Sequence, residues 1–166
     1  MKMFSRRVAF IVFLSASVFM WLYGGSPEAK EVLRGVARVV DGDTLVISGQ
    51  RVRLLGIDAP ESKQTCRNAS GKNYACGVAS TQHLRTLIGG REVRCLGEQR
   101  DRYQRVLGVC SVGGMDLNRQ MVADGMAVAY KRYSDRYVKS EQSARAASKG
   151  LWQGSFTPPE QYRHKD

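Results

Sequence analysis

Histidine is nearly missing from this chain. Only His83 and His164 occur among 166 residues, and the four cysteines form no C-x-x-C pair, so the ligand spacing of a zinc site is not there. No fixed-period repeat or low-complexity tract is found, which excludes a solenoid or a repeat array. Acidic residues are also few: 15 stand against 26 lysines and arginines, a formal charge of +11. Of those 26 only Lys2, Arg6 and Arg7 fall in residues 1–24, and none of the 15 does, so the remainder still carries +8. That part is basic in its own right and attracts a polyanion, although charge alone fits a membrane surface equally well. A chain of this length fits one domain with a full hydrophobic core.

The N-terminus reads as an export signal. Lys2, Arg6 and Arg7 precede an uncharged apolar run over residues 8–23, and a Gly-Gly-Ser-Pro break follows. The run is longer than the usual signal-peptide core, shorter than a spanning helix of roughly 20 residues, and lacks a small-x-small cleavage site after it. Residues 1–25 are therefore either a signal peptide or an uncleaved membrane anchor acting through residues 8–23. In both cases the domain is expected outside: secreted, periplasmic, or tethered at the membrane. Four cysteines in an exported chain favour two disulfides. Of the three connectivities, Cys66–Cys76 closing a polar loop and Cys95–Cys110 joining two successive strands is preferred, while the sequence leaves the others open.

After a linker over residues 26–33, alternating patterns predict strands over 36–40, 44–47, 51–57, 92–96 and 105–112. Within 51–57, Val52 and Leu54 face one way and Arg51 and Arg53 the other. Helices are predicted over 77–88, stopped by Gly89, over 116–124, capped by Asp116, and from Ser134 or Asp135 to about 149. His83 lies beside the apolar stripe of the first helix and reads as a structural or surface residue. Five short strands, with one helix after the third and others after the fifth, predict an α+β fold that is mainly β barrel: a five-stranded Greek-key barrel of the OB type with about three helices. Leu151 and Trp152 are expected to pack the last helix onto the barrel. The domain is expected to span residues 34–153, leaving 154–166 as an extended tail.

The chemistry is concentrated in residues 38–62, RVVDGDTLVISGQRVRLLGIDAPES. Asp41, Asp43, Asp58 and Glu61 surround two short strands that also carry Arg51 and Arg53. Taken separately, DGD is a polar turn and DAPE a loop rich in turn residues. Taken together, carboxylates this close repel one another and call for a bound cation or for arginines. Oxygen ligands without imidazole or thiolate select a hard cation, and calcium tolerates an irregular cage of loops better than magnesium does. The alternating ligands and terminal glutamate of an EF-hand are missing. A cation and arginines beside a basic surface hold a phosphodiester and offset the charge that builds in its transition state, so the residues point to phosphoryl chemistry.

The order VVDGDT, RVRLLGIDAPE, DRYQR closely resembles the staphylococcal nuclease (thermonuclease) family, over roughly residues 34–153. That family's fold is an OB-type barrel with three helices. The resemblance implies that Asp43, Asp58 and the main-chain carbonyl of Ala59 hold calcium, with Asp41 supporting them from outside the ligand set. It implies Glu61 as the base that activates or orients the attacking water, and Arg53 and Arg105 as the arginines that neutralise the phosphoryl transition state. Guanidinium suits that task because its fork binds two oxygens and stays charged. Arg102 and Tyr103 match positions that flank the terminal phosphate, and Tyr130 and Tyr133 fall near two tyrosines lining the base pocket. For Tyr130, core packing is an equal reading. One departure stands out: Gln104 replaces a glycine of the family, which strains the backbone if positive φ is needed there.

The expected function is that of an exported, calcium-dependent nuclease acting on DNA and RNA, single-stranded regions preferred, leaving 3′-phosphates, with the chain a monomer. Little base specificity is expected, because backbone contacts carry no sequence information. The competing reading is a non-catalytic OB-fold module that only binds nucleic acid or another exported partner.

Overall fold

Apolar and polar residues alternate along five segments whose pairings close on themselves. The computed structural model describes residues 31–164; the expected leader or anchor and the linker up to residue 30 lie outside these. The strands are β1 (Glu31–Val39), β2 (Thr44–Ile47), β3 (Gln50–Leu54), β4 (Glu92–Arg100) and β5 (Val106–Val112). β1 pairs antiparallel with β2 and β4, β2 with β3, and β4 with β5. A parallel pairing of β3 with β5 then closes the ring. This is the five-stranded barrel of OB type expected from the sequence, in an α+β fold.

Two strands exceed their predicted limits because the ladder offers partners there. β1 starts at Glu31, inside the stretch read as linker, and its first residues pair with β4 from Gly97 back to Glu92. β4 continues to Arg100, past the predicted end at residue 96, by a register shift between Gly97 and Gln99 that bends the strand and keeps it paired with β5. In β3, Val52 and Leu54 are fully buried, while Arg51 is exposed and Arg53 lies between. Burying each such aliphatic side chain contributes about 1.5–3 kcal/mol. A slip of one residue would turn Arg51 and Arg53 into the core, so their outward direction is firmly set.

Both disulfides form as preferred. Cys95 and Cys110 face each other in register across β4 and β5, with Cα atoms 4.0 Å apart. Cys66–Cys76 joins the polar loop to the first residue of α1 (Cys76–Ile88). Gly89 ends α1 in the left-handed conformation, φ 58°. α2 (Leu117–Ala123) is capped by Asp116, whose carboxylate accepts from the Arg119 N–H at 2.9 Å. His83 on α1 meets Asp124 after α2 at 2.8 Å and so ties two helices together, a structural role. Asn118 on α2 is fully buried and stitches the barrel: it accepts from the Cys110 N–H and donates to the carbonyls of Leu55 and Gly108.

α3 (Val138–Ala146) begins later than predicted, because Ser134 accepts from the Arg136 N–H and closes a turn instead of capping the helix. Leu151 packs on the Cys66–Cys76 bridge, in a cluster apart from the barrel core onto which it was expected to pack, and Trp152 lies edge-on to Phe156 at 4.9 Å with Arg145 of α3 over its ring. The tail departs from its predicted extended form. Pro159 occupies the first turn of a fourth helix, α4 (Pro159–Arg163), which runs back to the carboxylates.

Candidate active site

The turn Asp41-Gly42-Asp43 joins β1 to β2, and its own carboxylate shapes it: Asp41 accepts from the Asp43 N–H at 3.0 Å. A side chain at Gly42 would run into Ser80 of α1 and into Ala59, so only glycine lets the turn sit this close. Asp58 follows β3 on a short bridge in which Ile57–Asp58 pairs with Val128–Ala129. The Ala59 N–H donates to Asp43 at 3.0 Å and binds the two acidic loops together. Glu61 is placed by its backbone, whose N–H donates to the buried Gln64, and Gln64 donates in turn to the Thr157 carbonyl of the tail. The Glu61 carbonyl also lies so close to Gly77 on α1 that no Cβ fits between them.

Arg53 is the bridge. Its guanidinium donates to Asp43 at 2.7 Å and to Asp58 at 2.8 Å, and its side chain is 12% exposed. The two carboxylates are more buried still, at 5% and 1% of the side chain. Burial pushes the Asp43 carboxyl up to about 7, with Asp41 and Asp58 adding to the rise and Arg53 and the Ala59 N–H opposing it. Within the Arg53 guanidinium, burial is overcome by Asp43 and Asp58, which raise its pKa.

A second guanidinium comes from the tail. Arg163 donates to both oxygens of Asp58, at 2.9 and 3.0 Å, and to Glu61 at 2.7 Å. Burial works against its charge, but the hydrogen bonds to Asp58 and Glu61 prevail and raise its pKa. Nothing in the motifs singled out Arg163. The proline pair before Glu160 does signal a helix start, yet no local pattern says where that helix docks.

Arg105 enters from the turn between β4 and β5, held by Asp101, which accepts from its N–H at 2.9 Å and from its Nε at 2.6 Å. These bonds, with that of the Tyr103 N–H, outweigh burial and lower the Asp101 pKa. Gln104 stands in that turn at φ 62°, so the residue replacing the family glycine does occupy the left-handed region. Arg102 and Arg105 lie over the Tyr103 ring, 4.8 and 5.4 Å from its centre. Tyr130 and Tyr133 meet edge to face at 5.2 Å, and the half-buried Tyr130 donates its hydroxyl to Glu160 of α4. Tyr103 and Tyr133 are exposed.

These groups share one cleft of about 690 Å³. Asp41, Asp43, Arg53, Ala59, Glu61, Arg102, Tyr103, Arg105, Tyr130 and Tyr133 all line it, with Arg163 and Glu160 from the tail, while the buried Asp58, bonded to Arg53 and Arg163, lines a neighbouring cavity that shares Tyr130 and Glu160. Among the described residues no three Asp, Glu, His or Cys side chains gather in metal-holding geometry. The carboxylates are instead linked pairwise by guanidinia, Asp43 to Asp58 by Arg53 and Asp58 to Glu61 by Arg163. The donor set still fits a hard cation: two buried carboxylates on adjoining loops, with all-oxygen chemistry and acid in excess of the bridging arginines.

Comparison with known proteins gives the chain a family. A family profile described as staphylococcal nuclease homologue matches residues 51–154. The chain is 39% identical over 129 residues to the succinoglycan biosynthesis protein ExoI of Rhizobium meliloti, covering 75% of this chain and 66% of that one. It is 38% identical to an uncharacterized endonuclease of Escherichia coli, over 78% of this chain and 84% of that protein. With a micrococcal nuclease of Shigella flexneri it shares 36% identity, over 89% and 84% of the two chains. By barrel, motifs and relatives alike, the chain belongs to the staphylococcal nuclease family.

Proposed function

We propose that this chain is an exported, calcium-dependent nuclease that hydrolyses phosphodiester bonds of DNA and RNA with little sequence specificity and leaves 3′-phosphates. The observation that carries the reading is one cleft holding Glu61, Arg53 and Arg105 beside the buried pair Asp43 and Asp58. Asp43, Asp58 and the Ala59 carbonyl would hold calcium, with Asp41 supporting the turn that carries Asp43. When bound, the ion adds positive charge facing the phosphate and offsets what builds in the transition state. Arg53 and Arg105 do the same from fixed positions, each set by a carboxylate partner. Glu61 takes the proton of the attacking water or orients it. Tyr103, Tyr130 and Tyr133 offer aromatic faces to bases, and such stacking is sequence-tolerant, which suits single strands. Export is supported by the apolar leader and by the two disulfides.

The test is release of acid-soluble nucleotides from single-stranded DNA by the purified protein, with calcium and then with a chelator. Calcium-dependent release is expected, and Glu61→Gln and Arg105→Gly should each cut turnover by about 100-fold or more while leaving the fold intact. Near-normal turnover in both variants would overturn the assignment of the site. Tight DNA binding without release in any metal would favour a binding module.

A further inference from the structure

Arg163 holds the carboxylates that the proposed nuclease needs free. Asp58 is 1% exposed in its side chain, and both its oxygens are engaged: one accepts from Arg53 and Arg163, the other from Arg163. These bonds use three of the roughly four lone-pair sites of the carboxylate, so a cation that takes Asp58 as ligand meets a guanidinium charge at either oxygen. Arg53 is not the one to yield, because it is 12% exposed, sits on a barrel strand and is also bonded to Asp43. Arg163 is 32% exposed and sits one residue from the end of the described tail. The same guanidinium bonds to Glu61, so the residue proposed as base is occupied as well.

The element that carries Arg163 is built to let go. α4 has five residues, too few to persist as a helix without tertiary support, and of these only Pro159 is buried. Its remaining hold is polar and partly exposed: Glu160 to Tyr130 and Arg132, and Tyr162 to the Lys63 carbonyl at 3.5 Å. Upstream, Gln64 fixes the Thr157 carbonyl, which leaves a firm point about which the last residues can swing. Tyr130 and Glu160 line the same cleft, so release of α4 also widens the space beside the exposed aromatic rings.

We propose that α4 is a self-blocking arm: Arg163 serves as the resident counter-ion of Asp58 and Glu61, and a divalent cation must displace it before the site can work. The inference rests on the nuclease reading and adds a regulation to it. Arg163 balances buried acid while no divalent ion is bound, so the empty site is stable, and it imposes a threshold cation concentration below which Glu61 stays tied.

The experiment is calcium titration by calorimetry of the full protein and its Arg163→Ala variant, with NMR of the 160–163 amides before and after calcium. Removing a charge-assisted contact of this kind should tighten calcium binding by at least about tenfold, the low end of what such bonds contribute. In the unaltered protein calcium should move the 160–163 amides to random-coil positions. Arg163→Lys, which keeps charge but loses the fork, should fall between. Equal affinities in the three proteins, or weaker binding in Arg163→Ala, would overturn the arm while leaving the calcium site standing. Amides unmoved at saturating calcium would overturn it too. No calcium binding by any of them would overturn the calcium reading itself, and the arm with it.

Discussion

Asp101 grips Arg105 at both ends, taking its backbone N–H at 2.9 Å and its Nε at 2.6 Å across a single turn. The proposed catalytic arginine is thus aimed by a residue four positions earlier in the same motif.

Asp101→Ala should free the Arg105 side chain while keeping its charge. The expected result is a fall in kcat of about 10-fold to 100-fold with a small change in KM, because loss of orientation is felt mainly in the transition state. Steady-state kinetics on a short oligonucleotide would check this. A change in KM alone would mean that Arg105 only binds.

The same pair gives a pH dependence with a definite sign. The folded-state pKa of Asp101 is lowered from 3.8, so its bonds stabilise fully above that value and are lost as pH falls through the folded value. Chemical denaturation between pH 5 and pH 2 should show a steeper loss in the unaltered protein than in Asp101→Asn. Parallel curves would remove Asp101 as the source.

Gln104 at φ 62° is a side chain where glycine rests more easily. Gln104→Gly should raise stability by up to about 1 kcal/mol, with turnover unchanged or higher, since the turn holding Arg105 keeps its shape. Urea denaturation measures the first and the nucleotide-release assay the second. A destabilised Gln104→Gly would show that the glutamine side chain contributes more than its backbone costs.

Reduction should destabilise the fold by about 2–5 kcal/mol, because Cys95–Cys110 and Cys66–Cys76 both constrain the unfolded chain. Denaturation with and without reductant reads this directly. Four thiols titrating in the unreduced, unfolded protein would contradict both bridges.

Much of this molecule is written locally. Alternation at Val52 and Leu54 told which way Arg53 points, Asp116 marked a helix start, and Gly89 marked a stop, since each depends on neighbours a few residues away. The acidic loops and DRYQR were legible because their residue types have few other uses in such company. The start of β1 and the length of β4 were not, because a strand's limits depend on what the partner strand offers across the ladder. Nor was the late start of α3, where Ser134 has two possible partners and only the folded chain selects one.

What the sequence determined by itself is the barrel, the two groups of charge and the family, all of them properties of short-range pattern and residue chemistry. What only the tertiary structure decided is which charge meets which: Arg53 between Asp43 and Asp58, Arg105 on Asp101, and Arg163 on Asp58 and Glu61 from 102 or more positions away. Charge attracts without regard to position along the chain, so pairing is set by where the backbone places each group and by how much water is left around it.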